Sequence, residues 1–157
     1  MAHLKYIEVI DEASKPLPPL PWWEHHDSPW TSLLKPLAES KVAILGSAGV
    51  HRKSDPPFNP PNDLSYRLIH RDTATADLKP SHPTPVRKPG HEDVNVVFPL
   101  DRFLELEAEG IIGRLADEQI SMVGPIKLYD KVTEEFGPAI AKELERQEVD
   151  LLCLFPL

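Results

Sequence analysis

Val94–Gly113, VNVVFPLDRFLELEAEGIIG, is the stretch on which the fold turns. Val94, Val96, Val97 and Phe98 are β-branched or aromatic, the composition of a buried strand. Pro99 cannot donate to a sheet ladder and suits the first turn of a helix, so the strand should end there and a helix begin. Asp101 puts negative charge at the helix N-terminus, where the backbone dipoles favour it. Phe103, Leu104, Leu106 and Ala108 give an apolar face against Glu105, Glu107 and Glu109, and Gly110 fits the left-handed residue that closes a helix. A strand running into a capped helix is half of a βαβ unit. The expected fold class is therefore α/β, three-layered and Rossmann-like, with a mainly parallel sheet.

Upstream, Lys41–Gly46 (KVAILG) reads as a central parallel strand, apolar on both faces. Ser47-Ala48-Gly49-Val50-His51 lies at its carboxyl end, where open α/β sheets bind ligands. The spacing of Gly46 and Gly49 lacks the third glycine of a dinucleotide fingerprint. His51–Pro61 cannot be helical and reads as an irregular loop. Ser65–His70 alternates as a strand, and Thr73–Gly90 reads as a proline-rich surface loop with room for one short strand.

Downstream, Leu115–Glu118 reads as a helical or turn segment and Gln119–Gly124 as a buried strand. Residues 126–147 have helical spacing, interrupted at Gly137-Pro138. Asp150–Phe155 is the last strand. Residues 1–40 form a separate arm, with one helical turn expected at Lys35–Glu39, and residues 41–157 form the α/β domain. The arm carries the extended run Pro16–Pro21 and then Trp22, Trp23 and Trp30. Those tryptophans are expected to be buried, against the body or against a second chain.

Composition narrows the function classes. The chain has 157 residues, and its formal charge of -8 argues against nonspecific nucleic-acid binding. No apolar run approaches the roughly 20 residues that span a bilayer, and no signal-peptide core is present, so a cytoplasmic protein is expected. One cysteine, Cys153, excludes an internal disulfide and a cysteine-rich zinc site. Its place between Leu152 and Leu154 suits packing better than reactivity. Eighteen prolines against seven glycines imply long ordered loops.

The histidines, including His51, His82 and His91, lack metal-ligand spacing, so no metal is expected. Among them His51 stands out. It follows a sheet-end glycine and precedes Asp55, a pair that could orient or deprotonate a ligand or simply hydrogen-bond to the loop backbone. Ser47, Gly49, His51, Asp55, Asn95 and Asp101 flank two expected strand ends and are the candidate substrate-binding residues.

Ser47–His51 followed by Asp55-Pro56-Pro57-Phe58, and Asp93–Arg102 followed by Gly110–Gly113, resemble the selenoprotein B subunits of the glycine, sarcosine, betaine and D-proline reductases. Leu33–Leu37 and Ser65–Ile69 resemble them too, and the resemblance runs from about residue 30 to the end. It implies an oxidoreductase subunit that cleaves the C–N bond of a small amine reductively, with a thiol/disulfide couple as redox partner. It also implies association with other reductase subunits, one of which can carry a pyruvoyl group, or self-association. A selenocysteine or cysteine is expected just after the strand at Val149–Leu157, so the chain is expected to be cut at its own redox residue, a UGA codon being read as stop. The alternatives are a noncatalytic binding or assembly subunit of the same fold and, by fold analogy, a racemase-like isomerase, which needs two opposed cysteines. A parallel strand that ends at Leu157 without its covering helix should leave apolar surface on one face.

Overall fold

A computed structural model describes residues 31–84 and 87–157. The arm expected over residues 1–40 therefore lies mostly outside the described residues, Trp22, Trp23 and Trp30 with it. The described strands are β1 (Lys41–Gly46), β2 (Val50–Arg52), β3 (Arg67–His70), β4 (Leu78–Pro80), β5 (Arg114–Leu115), β6 (Glu118–Ser121) and β7 (Leu151–Phe155). The helices are α1 (Arg87–Glu92), α2 (Leu100–Ala108), α3 (Tyr129–Lys131) and α4 (Gly137–Arg146).

The sheet is built around β1. β5, β6 and β7 all run parallel to it, and β3 adds antiparallel to the outer side of β6. Val42 pairs with both Leu115 and Leu151, and Gly46 with both Ser121 and Phe155. A strand has two edges, so β5 and β6 share one edge of β1 in succession while β7 takes the other. The gap between β5 and β6 falls opposite Ile44. There the buried side chain of Gln119 replaces the missing ladder bonds: its Oε1 accepts from Ile44 N–H at 2.8 Å and its Nε2 donates to Ala116 O at 2.6 Å. A buried backbone N–H needs a partner, and here the side chain provides it.

Alternation along the strands splits the core in two. Val42, Ile44, Ile69, Leu151, Cys153 and Phe155 face one side, where α2 buries Leu100 and Phe103. Phe103 meets Phe155 edge to face, with centroids 5.8 Å apart. On the other side Ile120, Leu45, Leu68 and Met122 pack with Phe136, Ile140 and Leu144 of the last helical segment. That cover does not extend over the end of β7, where Leu154 is 64% exposed. β7 has β1 as its neighbour on one edge and no other strand beside it among the described residues.

Several expectations hold to within one or two residues. Lys41–Gly46 is the central strand, Leu151–Phe155 the last one, and Leu37–Glu39 a single helical turn after Pro36. Gly110 closes α2 with φ +70°, and its N–H donates to Glu107 O. The break at Gly137-Pro138 is a π-helical turn, Val132–Phe136, that leads into α4.

Others are corrected. Val94–Val96 is a 3-10 turn, not a strand. Val94, Val97 and Phe98 are buried but Val96 is 61% exposed, because Asp93 accepts from Asn95 N–H and the chain folds on itself, with Val97 and Phe98 N–H both donating to Val94 O. β-Branched composition reported burial at three of the four positions and said nothing decisive about extension. Leu115–Glu118 is not helical, because Arg114–Leu115 and Glu118 enter the sheet. Val50–Arg52 at the start of the expected loop is a strand, paired antiparallel with β4. The mainly parallel sheet holds as expected, with β3 added antiparallel at its edge.

Candidate functional site

Four segments meet at the carboxyl end of β1. Ser47 N–H donates to Phe155 O at 3.1 Å, and Gly124 N–H donates to Ser47 O at 3.1 Å. Ser47 Oγ accepts from Leu157 N–H at 2.9 Å. Gly49 has φ +65°, donates to Met122 O at 2.7 Å and accepts from Ser81 N–H at 3.0 Å. A Cβ on Gly49 would stand 2.8 Å from Val123 Cγ2, so the position excludes any side chain. β6 and β7 leave opposite edges of β1 here, the kind of place where α/β sheets bind ligands.

His51 is fully buried on β2. Its Nδ1 lies 2.7 Å from Arg52 O. A carbonyl oxygen only accepts, so Nδ1 carries the proton and Nε2 presents a bare lone pair. Nε2 has no partner. Burial pushes the imidazole pKa down, the Arg52 carbonyl opposes that, and Lys79 reinforces it, so the neutral ring is favoured. Asp55 does not pair with the ring; its Oδ2 accepts from Arg52 N–H at 3.3 Å.

Asn95 and Asp101 form a second group. Asn95 Oδ1 accepts from Asp101 N–H at 3.0 Å, and its Nδ2 donates to Asp101 Oδ2 at 2.8 Å and Asp93 Oδ1 at 3.1 Å. Thr75 Oγ1 also donates to Asp101 Oδ2, at 2.8 Å. This network holds the first turn of α2: its N-cap, Pro99, makes no side-chain cap, and Asn95 satisfies the Asp101 N–H instead. No hydrogen bond among the described residues joins it to Ser47, Gly49 or His51. The link runs through the chain: Thr75 starts the segment that leads to Lys79, the cross-strand partner of His51.

Sequence reasoning passed over two residues here. His82 is buried, donates its N–H to Ala48 O at 3.0 Å and holds Thr84 through Nδ1. Its loop has no periodicity to place it. Ser121 is fully buried at the end of β6, and its Oγ has no partner. The edge it would occupy follows only from the pairing with β3. Cys153 sits mid-strand, and burial pushes its thiol pKa up, so it is a poor nucleophile. Among the described residues no group of three or more histidine, cysteine, aspartate or glutamate side chains is placed to hold a metal, and no helix is long and apolar enough to cross a membrane.

Residues 24–155 match the family described as glycine/sarcosine/betaine reductase selenoprotein B. The D-proline reductase subunit gamma of Acetoanaerobium sticklandii is 37% identical over 125 residues, covering 80% of this chain and 52% of that protein. The glycine reductase complex component B subunit gamma of Symbiobacterium thermophilum is 29% identical over 126 residues, 77% of this chain and 29% of that protein. The same subunit of Carboxydothermus hydrogenoformans matches over the same shares. The chain thus spans about half the length of the first of these relatives and less than a third of the other two. No solved structure matches. From the core strand and its glycine turn to the last strand, the chain belongs to the glycine/sarcosine/betaine reductase selenoprotein B family.

Proposed function

We propose that this chain is the sheet-forming module of a selenoprotein B-type reductase subunit, acting in the cytoplasm with other subunits on a small amine. Family membership and the reductase subunits among its relatives support the class of reaction. The observation that carries the assignment to a place is the lacing of β7 to the turn after β1. Leu157 N–H is held on Ser47 Oγ at 2.9 Å, so a selenocysteine or cysteine joined to Leu157 would emerge at the ligand-binding end of the sheet.

The chemistry then follows. A selenolate or thiolate there would form a bond to the substrate carbon as the C–N bond breaks, and the amine would leave with the electron pair and be protonated. A partner dithiol, oxidised to a disulfide, would then reductively break the carbon–selenium or carbon–sulfur bond, the carbon taking up a proton to give the reduced acid and the selenium or sulfur returning to its anion. A pyruvoyl group on another subunit would activate the amine. Ser47, Gly49 and His51 would line the substrate side, Asp55 would fix the turn behind His51, and Asn95 with Asp101 would hold the start of α2. The lone mid-strand Cys153 disfavours the racemase chemistry, which needs two thiols.

The test is dithiothreitol-dependent C–N cleavage, read as ammonia released from glycine or as a primary amine newly released from the ring of D-proline. It uses the chain carrying a selenocysteine or cysteine after Leu157, mixed with the remaining subunits of a reductase complex. Release that depends on the added residue supports the proposal. Release that is equal without it, or absent with every complex tried, overturns it.

A further inference from the structure

Val50 with Pro80, His51 with Lys79 and Arg52 with Leu78 join β2 and β4 into a ribbon that shares no ladder with the five-stranded sheet. A two-stranded ribbon is marginal by itself. This one is fastened to the turn after β1. Ser81 N–H donates to Gly49 O and His82 N–H to Ala48 O, each at 3.0 Å, and Gly49 N–H donates to Met122 O at 2.7 Å. The two residues that follow Ser47 are thus held by the ends of the ribbon.

His51 is the middle of the ribbon, fully buried, with Lys79 directly across from it. Its Nδ1–H is held on Arg52 O, and its Nε2 has no partner among the described residues. A second proton could go only to Nε2, where it would meet no acceptor. The charged groups that face the ring come from three elements. Lys79 stands on β4. Arg67 of β3 lies 4.5 Å from the centroid of Phe58, whose ring meets His51 edge to face at 6.2 Å. Asp55, in the loop after β2, is the one carboxylate, and its Oδ2 is already engaged by Arg52 N–H. Burial and two cations against one carboxylate all oppose a charged ring. Opening the ribbon relieves them together, because water then reaches the imidazolium.

We propose that His51 is an acid-released pin: a proton on its buried Nε2 frees the β2–β4 ribbon and the turn after β1 while the five-stranded sheet stays closed. The sign follows from linkage. Burial holds the pKa of the ring below 6.5 in the closed ribbon, and an open ribbon lets it return there. The closed form is therefore fully favoured above pH 6.5. Below that its advantage falls by up to about tenfold per pH unit, until the pKa of the closed form is reached. The turn set free carries Ser47, so acid loosens the proposed site without unfolding its sheet. The pin needs no turnover, so a chain without reductase activity would keep it.

Amide hydrogen exchange in the full chain, followed by NMR between about pH 5 and 8 and corrected for the intrinsic exchange rate, tests it. Lys53, Ser81 and His82 report on the ribbon through their N–H bonds to Asp77, Gly49 and Ala48, while Arg71 and Ala116, bonded to Asp117 and Val42, report on the sheet. Protection of the ribbon amides should be flat above pH 6.5 and fall by up to about tenfold per pH unit below it, with the sheet amides several-fold less affected. His51→Gln should abolish the dependence. Lys79→Met, which removes a cation facing the ring, should weaken it, and Asp55→Asn should strengthen it. Ribbon and sheet amides losing protection in step, a dependence that survives His51→Gln, or one unchanged in both Lys79→Met and Asp55→Asn would overturn the proposal.

Discussion

Replacing Gln119 with leucine removes the side chain that closes the gap between β5 and β6. In the native chain Gln119 satisfies Ile44 N–H at 2.8 Å and Ala116 O at 2.6 Å, both at buried residues. The leucine leaves a donor and an acceptor unpaired, at about 1–3 kcal/mol each. Its extra apolar burial returns about 1–2 kcal/mol. The midpoints of these ranges give a net loss of about 2–3 kcal/mol, which for a domain of this size lowers the thermal midpoint by about 5–10 °C. Gln119→Glu is the companion variant. Its carboxylate can still accept from Ile44 but repels the Ala116 carbonyl, so its loss should shrink as the pH falls and the carboxyl is protonated. Thermal and urea unfolding followed by circular dichroism would measure both. A leucine variant melting within about 2 °C of the parent would refute the claim that this side chain stands in for ladder bonds.

Gly49→Ala combines a left-handed φ with a Cβ 2.8 Å from Val123, whereas Gly110→Ala has a similar φ and open space. Calorimetry should therefore show a loss of about 1–2 kcal/mol for Gly110→Ala and clearly more for Gly49→Ala. Lowered His51 pKa means the unfolded chain takes up a proton that the folded chain resists, so stability is full above the ordinary value of 6.5 and falls as the pH drops below it. The protonated ring would meet Lys79 and Arg67, with Asp55 in partial compensation. His51→Phe should flatten that part of a stability–pH profile measured by urea unfolding. Asn95→Ala breaks the network that holds the first turn of α2 and should cost about 0.5–2 kcal/mol in the same assay. Leu154→Lys, at an exposed position, should change the stability of the isolated chain by less than about 0.5 kcal/mol while weakening its capture by partner subunits in a pull-down.

What the sequence revealed depended on how local the cause was. β1 and β7 are apolar runs bounded by breakers, and composition alone located them. α2 was legible from Pro99, Asp101 and Gly110 because capping is decided within a few residues. Val94–Phe98 was not, because burial and extension leave the same β-branched signature and only the Asp93–Asn95–Asp101 hydrogen bonds separate them. That Ser47, Gly49 and His51 follow the central strand was legible in the sequence. The pairing of Ser121 with Arg67 and the contact of His82 with Ala48 join segments far apart in the chain, which no local pattern encodes.

The central claim is that the residues after β7 are held at the carboxyl end of β1, where the site is proposed. Cross-linking tests it most directly. In a Cys153→Ser background, a cysteine appended after Leu157 is combined with Ser47→Cys, and the chain is equilibrated in a glutathione buffer. Leu157 N lies 2.9 Å from Ser47 Oγ, so a thiol on the next residue is expected to come within reach of one at position 47. The account predicts an intramolecular disulfide, seen by mass spectrometry and absent when the second cysteine is placed at Leu34 instead. Two free thiols in the Ser47 variant, or equal cross-linking from Leu34, would contradict it.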